Sequence, residues 1–207
     1  MSAWTGAHAQ TLLAFEEAAQ SFVDLVGRIR GDWDRPGLGV WDLRALVGHT
    51  TRALVTVTTY LDRPASQEDL LTPAAYLTGS GGVDPELVAA RGRQAGADLG
   101  DDPATRVAEA AERAVSRVRA ADPTALVETV NGGMRVGGYL PTRTFELVVH
   151  SADIALALGL DPDVPPAALR EAAGLATQTV LDQGRGQDLL LTLTGRADWP
   201  ADLVMIR

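Results

Sequence analysis

The sequence predicts an all-α protein, a helical bundle joined by long crossover loops. Three observations carry that expectation. Apolar residues recur at three- and four-residue spacing through most of the 207 positions, the period of a helix buried on one face. No segment shows the strong apolar–polar alternation of a half-buried strand. Clusters of Pro, Gly and Asp, residues that end helices and shape turns, separate the periodic segments.

The first helix covers about 7–29, with Leu12, Phe15, Phe22, Val23 and Val26 on or near one face. His8 falls near its start and is read as an exposed first-turn residue. The breaker GDWDRPGLGV follows, and Trp33 and Trp41 are read as the residues that lock it. The second helix begins near Trp41. Leu43, Leu46, Val47, Thr50, Leu54, Val57 and Leu61 make its apolar stripe, and His49 lies at the edge of that stripe, where a residue lining a cleft between helices sits. A polar loop over 63–83 is longer than a connector needs and is read as the cover of a site.

Two further helices are expected over about 84–99 and 103–121, the second opened by DDPAT with Pro103 near its first turn. ALVETVNGGMRVGGYL is Gly-rich and reads as a short hairpin or an irregular loop. A helix over about 142–158 follows and LGLDPDVPP ends it. Another covers 166–182, then a short apolar one in DLLLTLTG, then a tail with Trp199. The division expected is a bundle over 1–165 with a helical extension over 166–207 packed on it.

Composition narrows the function. A hydrophobic content of 46% suffices for a real core. The net charge is −9, and all 18 basic residues are Arg. That balance argues against a nucleic-acid partner and against an anionic membrane surface. No apolar stretch approaches the roughly 18 residues of a membrane span, and MSAWTGAHAQTLLAFEEAAQ lacks the pattern of a signal peptide. The expected setting is cytoplasmic, and the expected assembly a monomer or homodimer. There is no Cys, so a thiol used in any reaction must come from a cosubstrate. The Gly pairs at 132–133 and 137–138 lack the pattern of a phosphate loop, and no G-x-S-x-G elbow occurs. Arg185 and Arg196 are read as solvated surface residues.

One cluster dominates. In PTRTFELVVHSADIALALG, Arg143, Glu146, His150 and Asp153 fall within roughly 80° of one helical face. Phe145, Val148, Val149, Ala152 and Leu156 form an apolar arc on one side, and Leu147, Ile154 and Leu158 another. A helix apolar on both flanks of a charged stripe is expected to be buried on most sides, and buried charges are costly unless paired or ligated. Glu146 and His150 have the i,i+4 spacing of a chelating pair, and His49 approaches from a facing helix. Two His and one carboxylate form a recipe for a catalytic divalent-metal site. Asp153 is placed to orient an imidazole, and Arg143 to neutralise Glu146 or bind an anionic substrate. The alternative on the same residues is a salt-bridge ladder on the helix, with His49 a polar residue at a core edge. A di-iron carboxylate bundle needs more inward Glu than the sequence offers.

DWDRPGLGVWDLRALVGHT resembles the entry to the second helix in the DinB-like, mycothiol-dependent maleylpyruvate isomerase superfamily, through Trp33, Pro36, Trp41, Leu46, Val47 and His49. YLPTRTFELVVHSADIALALG resembles that family's second signature, which maps onto Glu146 and His150. The resemblance implies an up-down four-helix bundle with extra C-terminal helices. It implies a divalent metal, commonly zinc, held by His49, Glu146 and His150, and mycothiol as cosubstrate. The activity implied is addition or transfer of that thiol to a small electrophilic substrate. The isomerases proper carry a separate C-terminal domain, whereas about 40 residues follow Pro166 here, fewer than an ordinary domain. That favours a thiol S-transferase over the isomerase. A non-catalytic module binding a small molecule or a protein, and a metal-dependent hydrolase or iron-dependent oxygen chemistry, stand as alternatives on the same residues.

Overall fold

Phe15, Phe22, Leu46, Leu54, Leu147 and Ile154 come from three helices and are all fully buried in one core. Each contributes on the order of 1.5–3 kcal/mol by leaving water. The computed structural model that shows this describes residues 3–79 and 84–200. Part of the expected long loop, 80–83, and the end of the expected extension, 201–207, lie outside the described residues.

The elements in chain order are α1 (Ala7–Val26), α2 (Leu43–Leu61), α3 (Pro73–Gly79), α4 (Pro85–Ala97), α5 (Pro103–Ala120), β1 (Leu126–Thr129), β2 (Gly132–Arg135), α6 (Val136–Ala157), α7 (Pro166–Asp182) and α8 (Gly186–Leu193). Among the described residues the chain is all-α but for one antiparallel hairpin, in which Leu126 pairs with Arg135 and Thr129 with Gly132. Four helices close a ring: α1 packs on α6, α6 on α2, α2 on α5, and α5 on α1. α4 lies against α2, α7 against α6, α1 and α3, and α8 against α7. Among the described residues no helix is long and apolar enough to cross a membrane.

Local sequence sets several helix starts. Asp42 accepts from the Ala45 amide, Asp84 from Glu86 and Asp102 from Thr105, each satisfying an N–H that the helix itself cannot. Pro85 and Pro103 sit in the first turns of α4 and α5, where no donor is missed.

Three expectations need correction. The long loop contains a helix, α3, whose Ala74, Tyr76 and Leu77 are buried. The helix expected from about 142 begins six residues earlier, at Val136, and runs through two glycines and Pro141. Tertiary contacts override the local breakers there. The amides of Val136 and Gly137 donate to the carbonyls of Ala125 and Pro123, and Val136, Tyr139 and Leu140 are buried. Finally, the apolar arc of α6 that was expected to be buried is covered only in part: Phe145 and Val148 are buried, but Val149 and Leu156 are exposed.

Candidate functional site

His49 stands on α2 and faces the polar stripe of α6. Its position depends on how closely α4 approaches. A Cβ on Gly48 would overlap the backbone of Ala95 and Gly96, and one on Gly92 would overlap the Trp41 ring. Glycine at 48, 92 and 96 thus lets α4 lie directly on α2 and on Trp41. Trp41 donates its indole N–H to the Ala89 carbonyl at 3.0 Å, and its ring lies 4.4 Å from the His49 ring. Trp41 therefore reaches the site, whereas the sequence placed it in the loop. Trp33 does stay in the loop, with the Arg44 guanidinium 5.5 Å from its ring centre.

The sequence expected His49, Glu146 and His150 to converge, and the structure brings them together. One donor atom from each lies within 4.8 Å of the others, a group that could hold a metal ion. Glu146 Oε2 is 3.4 Å from His150 Nε2 and 3.9 Å from His49 Nε2. The imidazoles meet edge to face at 4.9 Å. The side chains of His49, Glu146 and His150 keep 19%, 24% and 16% of their exposure, so they line an opening rather than a sealed core. Asp153, one turn beyond His150, accepts from its Nδ1–H at 2.9 Å. That bond fixes the ring and leaves Nε2 facing Glu146.

The electrostatics pull the two imidazoles apart. Burial acts against the charged form of His49, and the neighbouring His150 adds to it. Glu146 offsets them only in part, and His49 is pushed down to about 4. Burial also opposes charge on His150, but the hydrogen bonds it donates to Asp153 and Glu146 and their negative charges outweigh it and raise it to about 9. For Glu146, burial is outweighed by the His150 hydrogen bond and by the positive charges of Arg143 and His150, so its carboxyl falls to about 2. At neutral pH the metal-free centre thus holds a neutral His49, an anionic Glu146 and a cationic His150.

Arg143 is buried one turn before Glu146. Its guanidinium carbon lies 5.2 Å from the Tyr76 ring centre and 5.0 Å from that of Tyr139. The Tyr139 hydroxyl hydrogen-bonds Thr56 on α2 at 2.9 Å, and Tyr60 lies 5.4 Å from Tyr139. The three tyrosines of the chain gather here, which sequence reasoning missed because they come from α2, α3 and α6. The G-x-x-x-G pattern Gly92/Gly96 was a readable sign of close helix approach that also went unused. His8 is half-buried rather than exposed, 6.2 Å from the Trp4 ring. Arg185 pairs with Asp188, and Arg196 donates to the Thr194 carbonyl. A cleft of about 590 Å³ between α1, α6 and 161–166 contains none of the three clustered residues.

The donor set fits a divalent cation. Two imidazoles and one carboxylate converge, and one imidazole is already oriented by a carboxylate. His49 turns Nε2 toward Glu146, the nitrogen a cation shared with that carboxylate would take, while its Nδ1 is sealed from solvent without a hydrogen-bond partner.

The model of the mycothiol maleylpyruvate isomerase N-terminal domain family matches residues 15–155 of the chain. That span includes His49, Arg143, Glu146, His150 and Asp153. No curated protein and no solved structure matches the chain.

Proposed function

We propose a function from one premise: the chain belongs to the mycothiol maleylpyruvate isomerase N-terminal domain family. In this reading His49, Glu146 and His150 hold one divalent metal ion, zinc before others. The protein is then an enzyme that adds or transfers mycothiol, a low-molecular-weight thiol, to a small electrophilic substrate, as an S-transferase or an isomerase. The observation that carries the reading is the convergence of these three donors from two facing helices, all within the matched residues. The absence of any Cys is consistent with a thiol supplied from outside.

When bound at two imidazoles and one carboxylate, a divalent ion keeps net positive charge and supplies a lowered thiol pKa, so that thiolate exists at neutral pH. The chain's own residues prepare the site. Asp153 holds the His150 ring by Nδ1, so that Nε2 is the nitrogen offered. Trp41 covers one side of His49 and limits the ring's orientations. Burial keeps His49 neutral at physiological pH, so its lone pair is available without prior loss of a proton. Glu146 stays ionised because His150 and Arg143 favour its charge.

The test is thiol conjugation to an electrophilic aryl halide, followed by loss of free thiol. The expected result is turnover that needs both mycothiol and metal, and that disappears in H150A and after chelation. Turnover without thiol, or turnover indifferent to chelation, contradicts the proposal.

A further inference from the structure

We infer that Arg143 is the anion-recognition residue of this site, its guanidinium taking a carboxylate group of the small-molecule substrate. The inference rests on the proposed reaction centre for its place beside Glu146. Its charge preference rests on Arg143's own surroundings.

Arg143 is 8% exposed, and a guanidinium carries five N–H donors. One is used: Nε donates to Thr142 Oγ1 at 3.1 Å. No carboxylate of a described residue forms an ion pair with it. Glu146, one turn away, acts on it through space without contact. Among the described residues, the sealed side-chain atoms without a partner are His49 Nδ1, Ser151 Oγ and Glu171 Oε2. The Arg143 nitrogens are not among them, and the Arg143 charge acts through space on both His49 and Glu146, which sets the guanidinium beside the His49–Glu146–His150 group.

The aromatic faces explain how the charge is kept and why it is left unsatisfied. Tyr76 and Tyr139 flank the guanidinium at 5.2 and 5.0 Å and attract it through their ring quadrupoles. They do not neutralise it, and they do not use its N–H groups. They also exclude water, which strengthens any hydrogen bond the fork then makes. Tyr139 is itself anchored to Thr56, so the support is stiff. A structural arginine would spend its donors on carbonyls or carboxylates of its own chain. This one donates to its own chain only through Nε, to Thr142.

The geometry selects a planar, singly charged anion. The outer edge of a guanidinium matches a carboxylate with two parallel hydrogen bonds. A phosphate dianion would call for more than one cation and would meet repulsion from Glu146, one helical turn away.

The test uses the full chain loaded with zinc and titrates benzoate against benzamide, and inorganic phosphate against both, by calorimetry. Metal per chain is read on the same samples. The wild type is expected to bind benzoate at least about tenfold more tightly than benzamide, the lower range for charge-assisted hydrogen bonds. R143Q is expected to lose that preference while keeping the metal content of the wild type. Equal binding of benzoate and benzamide by the wild type overturns the inference, and that comparison stands even if R143Q does not fold. So does a preference for phosphate, or an R143Q protein that still prefers benzoate, because the carboxylate then sits on the metal. A wild type that holds no metal but prefers benzoate in an Arg143-dependent way sinks the metal reading and leaves this one standing.

Discussion

Raising the pH of the metal-free protein from 6.5 to 9.5 should weaken its fold, and lowering it from 6.5 to 4 should weaken it as well. His150 is raised from 6.5 to about 9 when folded. Between those values the folded chain binds more proton than the unfolded one, so stability falls as pH rises. The contribution is complete below pH 6.5 and gone above about 9. His49 runs the other way. It is lowered from 6.5 to about 4, the unfolded chain binds more proton in that interval, and stability falls as pH falls. Each limb spans about two and a half pH units, worth about 3 kcal/mol at roughly 1.4 kcal/mol per unit. Glu146, lowered from 4.5 to about 2, steepens the acid side further, below pH 4.5. For a chain of this size the alkaline limb corresponds to a fall in Tm of roughly 6–12 °C. Urea denaturation of chelator-treated protein across pH 4–10 reads both limbs. H150Q should lack the alkaline one. Stability that is flat or rising between pH 7 and 9.5, or an unchanged alkaline limb in H150Q, refutes the reasoning.

Other perturbations separate packing from chemistry. Gly48→Ala places a methyl against the backbone of Ala95 and Gly96 and should cost about 1–3 kcal/mol in urea denaturation. Gly174→Ala, on α7 with nothing within 4 Å of the new methyl, should instead stabilise by about 0.5–1 kcal/mol. If both variants move stability in the same direction, the close α2–α4 crossing is not what requires glycine at 48. Leu147→Ala removes a side chain with 0% exposure and should cost about 2–5 kcal/mol; a loss under about 1 kcal/mol would mean the core there is loose. Asp153→Asn keeps the shape but weakens the hold on His150 Nδ1. Zinc affinity, read by competition with a chromophoric chelator, should fall about 10–100-fold with the fold unchanged, and an unchanged affinity would leave Asp153 without a role at the centre.

The parts of this structure that were legible share a cause. Helices with a one-sided stripe, such as α2 with Leu46, Leu54 and Val57, announce themselves because burial of that stripe is what stabilises them. The four polar residues on α6 were legible for the same reason: a charged stripe between apolar flanks has few resting places. What stayed hidden depended on contacts between distant segments. α6 begins at Val136 because Ala125 and Pro123 accept its first amides, and no window around GGYLP contains that information. The apolar pattern also overstated the burial of α6: Val149 and Leu156 fit the period of a core face yet lie exposed. The tyrosines around Arg143 belong to three elements, so no spacing rule links Tyr60, Tyr76 and Tyr139. Trp41 was visible as a packing residue, but its place against His49 depends on glycine at position 92 of α4, a contact between separate segments that no local pattern around Trp41 contains.

The most direct test of the account is the metal content of the native-sequence protein after mild dialysis. About one divalent ion per chain is expected, lost in H49A, E146Q and H150A alike. A protein that holds none, and takes up none when zinc, nickel, manganese or iron is added, would contradict the metal centre and leave His49, Glu146 and His150 as a buried polar cluster.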